Sequence, residues 1–272
     1  MNFMKRLFLL PLFVLYLAGC QPTDQEQAMA LVSEAQILVN NGQWRQARIV
    51  LDSIHSTYPR EIVQRRLAKA LEDSITYLEA KRTLAYADSM LPPLLEQSDQ
   101  LIKTFRYEKN NKYEDKGRYV HRLLNTGDNT ERNFLQAYVR DDYQTIVKSY
   151  YYGHYAANQK QITLSATDEE ASFTGSNHAF EAEGWHEIMS MEDDVALQLL
   201  NFVSSHTNDR IRVRGEGKNS SNAWVYYLTD KEKNALSQTY QLGFLMKDIE
   251  RLEQMSNTAQ RQIGHYEHKK GN

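Results

Sequence analysis

Leu242, Leu245, Ile249, Leu252 and Ala259 recur at heptad-like spacing within the stretch from Asp230 to Ile263, while Lys247, Asp248, Glu250, Arg251 and Glu253 fall on the other side. That pattern predicts one long helix with a continuous apolar stripe, opened by a capping box of Thr229 with Glu232. At 1.5 Å per residue the helix would be roughly 50 Å long, and only another long helix can cover so extended a stripe. The segment from Arg60 to Phe105 is the expected partner. It enters the middle of the chain where the final helix leaves it, so the pair would run antiparallel. A second copy of the chain is the alternative cover, which keeps a homodimer open.

The partner segment carries a seam of Leu67, Leu71, Ser74, Leu78 and Ala85 among many charges. Pro92-Pro93 is expected to interrupt it, since an interior proline loses a hydrogen bond and clashes with the preceding turn. The helix should then restart through Leu94, Leu95, Leu101, Ile102 and Phe105. Ahead of this segment, Thr23 with Glu26 forms a capping-box pattern, and Ala28, Leu31, Val32, Ala35, Leu38 and Val39 recur at three and four. Asn40-Asn41-Gly42 stops that helix. A second one, from about Gln43 to His55, sets Trp44, Ala47, Val50, Leu51 and Ile54 on one side before Tyr58-Pro59. Gly42, Trp44, Ala47 and Pro59 make this pair resemble a single tetratricopeptide-like helical hairpin over about Asp24 to Pro59. No second copy follows at a period of about 34 residues. One such unit cannot bury its own face, so it must pack on the helix that follows.

Arg106 to Lys116 is charged and turn-rich, a boundary. From Gly117 to Leu228 the chain turns to tyrosines, alternating patterns and Gly, Asn and Asp punctuation. Phe134 to Arg140 and Tyr143 to Tyr150 read as two strands around Asp141-Asp142. Further strands are expected at Gln161 to Ala166, Glu170 to Thr174, His178 to Ala182, Arg210 to Arg214 and Trp224 to Leu228. Val195 to Val203 reads as a buried helix begun by Glu192-Asp193-Asp194, acids suited to a helix start. The expected fold is therefore α+β: an N-terminal helical hairpin and a long antiparallel, coiled-coil-like stalk, with a small mainly antiparallel sheet plus a helix inserted as a head. The expected divisions are a signal peptide at 1–19, a tether at 20–27, the hairpin and first stalk helix at 28–110, the head at 117–228, the long C-terminal stalk helix at 229–264 and a disordered tail at 265–272.

At the start, Lys5-Arg6 precede an unbroken apolar run from Leu7 to Ala18 and then Gly19-Cys20. The run is too short to span about 30 Å of hydrocarbon, and the small Ala18-Gly19 pair marks a processing site. Leu17-Ala18-Gly19-Cys20 resembles the lipobox of bacterial lipoproteins at all four positions. The resemblance implies cleavage before Cys20, lipid on its thiol and an effectively permanent membrane anchor. Cys20 is the only cysteine among the 272 residues, so no internal disulfide can form even in an oxidising compartment. Together with the half-tetratricopeptide opening, three Asp-Ser-aliphatic tripeptides at Ser53, Ser74 and Ser89 make the chain resemble envelope lipoproteins of the Bacteroidales. Such tripeptides carry O-linked glycans in periplasmic proteins of that kind. The resemblance implies a location and an architecture, and no activity. Gln21 is not the inner-membrane retention aspartate of enteric lipoproteins, and Asp24 and Glu26 are too separated and late for a surface-export signal. The expected location is thus the outer membrane facing the periplasm, with the cell surface as the alternative.

A net charge of −3, a pI near 6.3 and the lack of a concentrated basic face argue against nucleic acid as a partner. No cofactor or metal motif appears. His186-Glu187 opens like HExxH, but Ser190 stands where the second histidine belongs; His121, His154, His178 and His206 are scattered. Gly175-Ser176 lacks the Gly-x-Ser-x-Gly frame, and Gly215-Glu216-Gly217 reads as a hairpin turn. Asp168-Glu169-Glu170 and Glu192-Asp193-Asp194 could hold calcium or a carboxylate pair, but such runs are more often solvated turns and helix starts. The expected function is a non-catalytic scaffold or protein-interaction module that contacts another envelope protein. Two alternatives stand beside it. One is glycan binding by head aromatics, with Tyr151, Trp185, Trp224 and Tyr226 as the candidate faces. The other is a hydrolase built around His186, Glu187 and the Asp168 to Glu170 run. Alternation places Tyr150 and Tyr152 on one side of a strand and Tyr151 on the other, so only part of the aromatic set can be exposed.

Overall fold

The computed structural model describes residues 22–110, 112, 115–124, 131–217 and 223–271. Cys20, its lipobox and the apolar run before it lie outside the described residues. The described chain forms two compact units, one of residues 22–81 with 262–271 and the other of residues 82–261.

The first unit opens on α1 (Asp24–Asn40), and its capping box is formed as the sequence predicts: the Glu26 carboxylate accepts from the Thr23 N–H at 2.8 Å while the Thr23 hydroxyl accepts from the Glu26 N–H at 3.3 Å. Gly42 N–H to Val39 O and Gln43 N–H to Leu38 O close the last turn. The chain then reverses into α2 (Trp44–Thr57). Val32, Ala35 and Val39 meet Ala47, Leu51 and Ile54, and the pair is completed by Ala68 and Ile75 of α3 (Ile62–Ile102). Arg48 ties α2 to α3 through Glu79 at 2.7 Å and Thr76 at 3.1 Å. On another side of α3, Ser74 meets the Tyr266 hydroxyl at 3.0 Å and Tyr77 stacks on the Tyr266 ring at 4.5 Å. Tyr266 belongs to α5 (Asp230–Gly271), which continues as helix through the residues expected to be a tail. Because α3 serves two neighbours here, Gln64, Ala68 and Ile75 form its buried line, with Leu71 and Leu78 half-buried beside it. Leu67, placed on the expected seam, is 42% exposed.

The second unit corrects three expectations. Pro92 and Pro93 do not interrupt α3, which runs through both. Both prolines and the preceding Asp88 and Ser89 are exposed, so water can reach the carbonyls that lose their helical donors. The charged stretch after α3 holds two short strands, β1 (Phe105–Glu108) and β2 (Arg118–His121). The head contains two antiparallel sheets rather than one.

The chain continues through β3 (Phe134–Arg140), β4 (Thr145–Gly153), β5 (Gln161–Ala166), β6 (Glu169–Thr174), β7 (Ser176–Glu181) and β8 (Trp185–Glu192). It then passes into α4 (Asp193–Ser205), β9 (Arg212–Glu216), β10 (Trp224–Tyr227) and α5. The six-stranded sheet has the order β1-β2-β3-β4-β8-β7, and the four-stranded sheet β10-β9-β5-β6. The chain crosses from the second sheet to the first at Gly175, between β6 and β7. Leu135, Ala137, Val147, Met189 and Met191 of one sheet share a core with Ile162, Leu164, Phe173, Val213 and Trp224 of the other. Ala196, Leu199, Leu200 and Val203 of α4 and the first turns of α5 complete it. Beside this core, Leu242 and Met246 of α5 pack with Phe105, Val139, Leu101 and Ile102, so the end of α3 and the start of α5 lie antiparallel. Mixed α+β architecture with two long helices is thus the observed class.

Candidate functional site

The second capping box, Thr229 with Glu232, starts α5 as predicted, with both N–H groups satisfied at 2.8 and 3.3 Å. From there Leu236, Thr239, Leu242, Gly243, Met246 and Ile249 face inward. At Gly243 the helix lies so close to β4 and α4 that a Cβ would stand 2.4 Å from the Thr145 hydroxyl and 3.2 Å from the Leu197 side chain. That approach fixes the rotation of α5. It leaves Phe244 on the outside, 54% exposed, with Tyr240 one turn before it half-buried against the edge of the head core.

A groove runs on each side of this aromatic ridge. The one between α3 and α5 has a volume of about 790 Å³ and is walled by Leu94, Leu101, Leu245 and Phe244, with Gln97, Gln100 and Gln241 along it. The one between α4 and α5, about 610 Å³, is lined by Leu197, Tyr240 and Phe244, with the ion pairs Lys247–Asp194 and Arg251–Asp248 at its rim. Nearer the start of α5 a third, polar groove of about 700 Å³ is lined by Thr207, Asn208, Asn234, Ser237, Gln238 and Gln241. Gln238 is held from below, accepting from the Thr104 hydroxyl at 2.9 Å and meeting His121 Nε2 at 3.1 Å. Burial pushes the His121 imidazole below its ordinary value of 6.5, and the Gln238 bond only partly opposes this. At the far end of the ridge Tyr143 donates to Glu253 at 2.9 Å. Burial and the neighbouring carboxylates push its phenol up to about 12.

The ridge is not among the residues expected from sequence to bind. Those residues lie elsewhere, and most are core. Trp224 is 7% exposed, and Tyr151, Trp224 and Tyr226 stack in order, with ring centroids 6.1 and 5.8 Å apart, against the shared core. The Tyr151 hydroxyl donates to Tyr155 O at 2.8 Å. Among the described residues neither Trp224 Nε1 nor the Tyr226 hydroxyl has a hydrogen-bond partner. Burial, with Glu232 adding to it, pushes the Tyr226 phenol well up, while Arg132 pulls the other way. Tyr151, Trp224 and Tyr226 therefore present no open platform to a sugar ring. The fourth candidate, Trp185, is half-buried on β8 opposite Gly153 and Glu181.

The residues of the hydrolase alternative are not brought together. His186 and Glu187 are consecutive on β8 and so point to opposite faces. His186 stacks on Phe180 at 5.0 Å with its Nε2 on Ala182 O at 2.9 Å. Glu187 is 0% exposed, and its carboxylate accepts from the Asn158 N–H at 2.6 Å, the Gln159 N–H at 2.7 Å and the Asn177 amide at 2.8 Å. That carboxylate pins the approach to β5 against β8. Asp168 to Glu170 sit at the β5–β6 turn of the other sheet, where Glu169 pairs with His206 at 3.3 Å and Glu170 accepts from Ser165 at 2.9 Å. No group of three or more His, Cys, Asp or Glu residues able to hold a metal occurs among the described residues.

Of the tripeptide serines, Ser89 is exposed, with its hydroxyl on Tyr86 O at 2.8 Å. Ser53 is half-buried against Val50 O at 2.6 Å, and Ser74 is engaged by Tyr266. A glycan on Ser74 would have to displace that tyrosine. No helix among the described residues is long and apolar enough to cross a membrane. Comparison with known proteins finds no matching family model, no matching curated protein and no matching solved structure.

Proposed function

We propose that the protein is a lipid-anchored envelope scaffold that receives an amphipathic helix of another envelope protein in the groove between α3 and α5. The observation that carries this reading is the Phe244 ridge: a large ring more than half exposed on a helix whose seam of Leu242, Met246, Ile249 and Leu252 is buried. Large aromatic side chains seated beside a groove are the usual anchors of an interface, and isolated helix partners read such grooves with residues one turn apart. Leu94, Leu101 and Leu245 supply the apolar wall, and the glutamines flanking them can bond the polar edge of an incoming helix. The lipobox ending at Cys20 supplies the membrane address, and the outer membrane facing the periplasm remains the proposed location.

A photo-crosslinking residue at position 244, installed in the full-length protein in living cells, tests the docking surface. One discrete adduct at 244, absent when the probe is moved to exposed Asp168 and lost on Leu245→Asp, is the expected result. Equal labelling from both positions would remove the reading. Mass spectrometry of the processed N-terminus tests the anchor, which requires acyl chains on Cys20.

Glycan capture has one specific observation in its favour, on different residues from those first expected. On the outer side of the six-stranded sheet Tyr152, His186 and Phe180 form a run of rings with centroids 5.0 Å apart at each step. Loss of polysaccharide binding on Phe180→Ala, with Trp224→Phe neutral, would support it; no polysaccharide binding by the intact protein would end it.

A further inference from the structure

β7 closes one end of the six-stranded sheet. Each of its residues from Ser176 to Glu181 is exposed, and among the described residues its one sheet neighbour is β8. The two pair without a bulge from Ser176 opposite Ser190 to Glu181 opposite Trp185. In an antiparallel pair alternate residues exchange both backbone bonds with their partner, and the residues between them point theirs the other way. The Ala182 N–H to Gly184 O bond of 2.8 Å at the head of the hairpin sets the phase. His178 with Ile188 and Phe180 with His186 are the bonded pairs. The N–H and C=O groups of Asn177, Ala179 and Glu181 therefore point off the sheet. Natural edge strands are usually blunted by lysine, proline, a bulge or a covering segment. Ser-Asn-His-Ala-Phe-Glu contains neither lysine nor proline.

We propose that β7 is a dimerisation edge, and that its occupant is β7 of a second copy of this chain, paired antiparallel about Ala179. The strand is self-complementary in that one register. With Ala179 on the two-fold axis, Ala179 faces its own counterpart, and Asn177 faces Glu181 of the partner subunit. Every outward N–H and C=O of both strands then finds an acceptor or donor. Sliding the strands by two residues leaves outward groups at each end without one. The residue forced to meet itself on the axis is small and uncharged. The only charge on the strand, Glu181, is placed opposite an amide and away from its own copy. Asn177 gives one of its two side-chain N–H bonds to Glu187, which leaves the other for that carboxylate. His178 and Phe180 fall in the pairs between the bonded ones, where Cα atoms approach to about 4.5 Å and side chains are closest. Phe180, 42% exposed in the single chain and already stacked on His186, would be covered by His178 of the partner subunit. Two six-stranded sheets would thereby join edge to edge.

Ala179→Cys in the full-length protein in its own membrane tests the axis directly. Cys20 is the only native cysteine, and a Cα separation of about 5.5 Å across the bonded pair lies within disulfide range. Mild oxidation should give a reducible dimer in at least tenfold excess over Gln198→Cys, a control on exposed α4. Ala179→Pro removes only the outward N–H, since the bonds to β8 come from residues 178 and 180. Ala179→Lys places two like charges on the axis without touching the backbone. Each should weaken the dimer about tenfold or more in sedimentation of the detergent-solubilised protein, the proline by deleting a hydrogen bond from each copy. Circular dichroism checks that the fold is kept. A wild-type protein that sediments as a monomer, or a dimer that survives both Ala179→Pro and Ala179→Lys, would overturn the proposal.

Discussion

Tyr151, Trp224 and Tyr226 on one side, and Phe244 on the other, are large aromatic residues put to opposite uses. The first three come from neighbouring strands of two sheets, and alternation turns all of them toward the space between the sheets, where they stack. Phe244 sits on a helix whose seam is already filled by Leu242, Met246 and Ile249, which puts it outside, while Tyr240 one turn earlier is half-buried against the edge of the core. An aromatic residue announces a large apolar area and nothing about where that area goes. Its position relative to the period of its own element decides.

The sharpest way to break the contrast is to truncate each set and compare stability. Trp224→Ala removes an indole that is 7% exposed and packed on both neighbours, and should cost about 3–5 kcal/mol in urea unfolding. A loss below about 1 kcal/mol would mean the ring is not part of the core. Next in size is Gly215→Ala. Gly215 lies directly across from Trp224, and a Cβ there would stand 2.1 Å from the indole. Overpacking of this kind costs about 1–3 kcal/mol. If the indole is the cause, Trp224→Phe should recover part of the loss, a coupling that a double-mutant cycle reads directly.

Much of the architecture was legible because local signals agreed with the fold. Both capping boxes, the α1–α2 hairpin, the two-strand pattern around Asp141-Asp142 and, apart from Leu245 on the groove wall, the apolar stripe of α5 appear where spacing placed them. β8 was not legible. Its buried positions are Glu187, Met189 and Met191, so a carboxylate stands where alternation demands an apolar residue, and the strand looks like a failed zinc helix. What makes Glu187 acceptable there is the pair of N–H groups at Asn158 and Gln159, which no reading of β8 alone could supply. β1 and β2 are four residues each and carry Arg106, Glu108 and Arg118, which join in ion pairs of 2.6 and 3.2 Å. In sequence those charges look like a linker. The Phe244 ridge does carry a signal in the sequence: an aromatic residue off the seam of an otherwise well-ordered stripe, four residues after Tyr240.

A smaller effect separates the ridge from its support. His121 is buried, bonded to Gln238 of α5 and set edge-on to Phe105 with centroids 5.1 Å apart. Its folded-state pKa lies below 6.5, so above that pH both states are neutral and the residue contributes no pH dependence. As pH falls through 6.5 the unfolded chain takes up the proton first and folding weakens; the loss levels off below the depressed folded value. The melting temperature of the wild type should therefore fall more between pH 7 and pH 5 than that of His121→Gln, which keeps a polar partner for Gln238. Parallel pH profiles would show that His121 is not held neutral by the fold.

The least change in stability is expected where the effect on binding is expected to be greatest. Phe244→Ala takes away a ring that stands more than half in water, and its backbone remains in the middle of α5, where alanine is the best helix former. Folding stability should shift by no more than about 0.5 kcal/mol. The same substitution should abolish the specific crosslink from a second probe placed at Gln97 on the opposite wall of the groove, because the anchor that seats the incoming helix is gone. Trp224→Ala and Phe244→Ala thus make opposite predictions for two assays, and that crossing is what separates a core ring from a docking ring. A drop of several kcal/mol on Phe244→Ala would move the residue into the core with Trp224, and the groove would lose its claim to a partner.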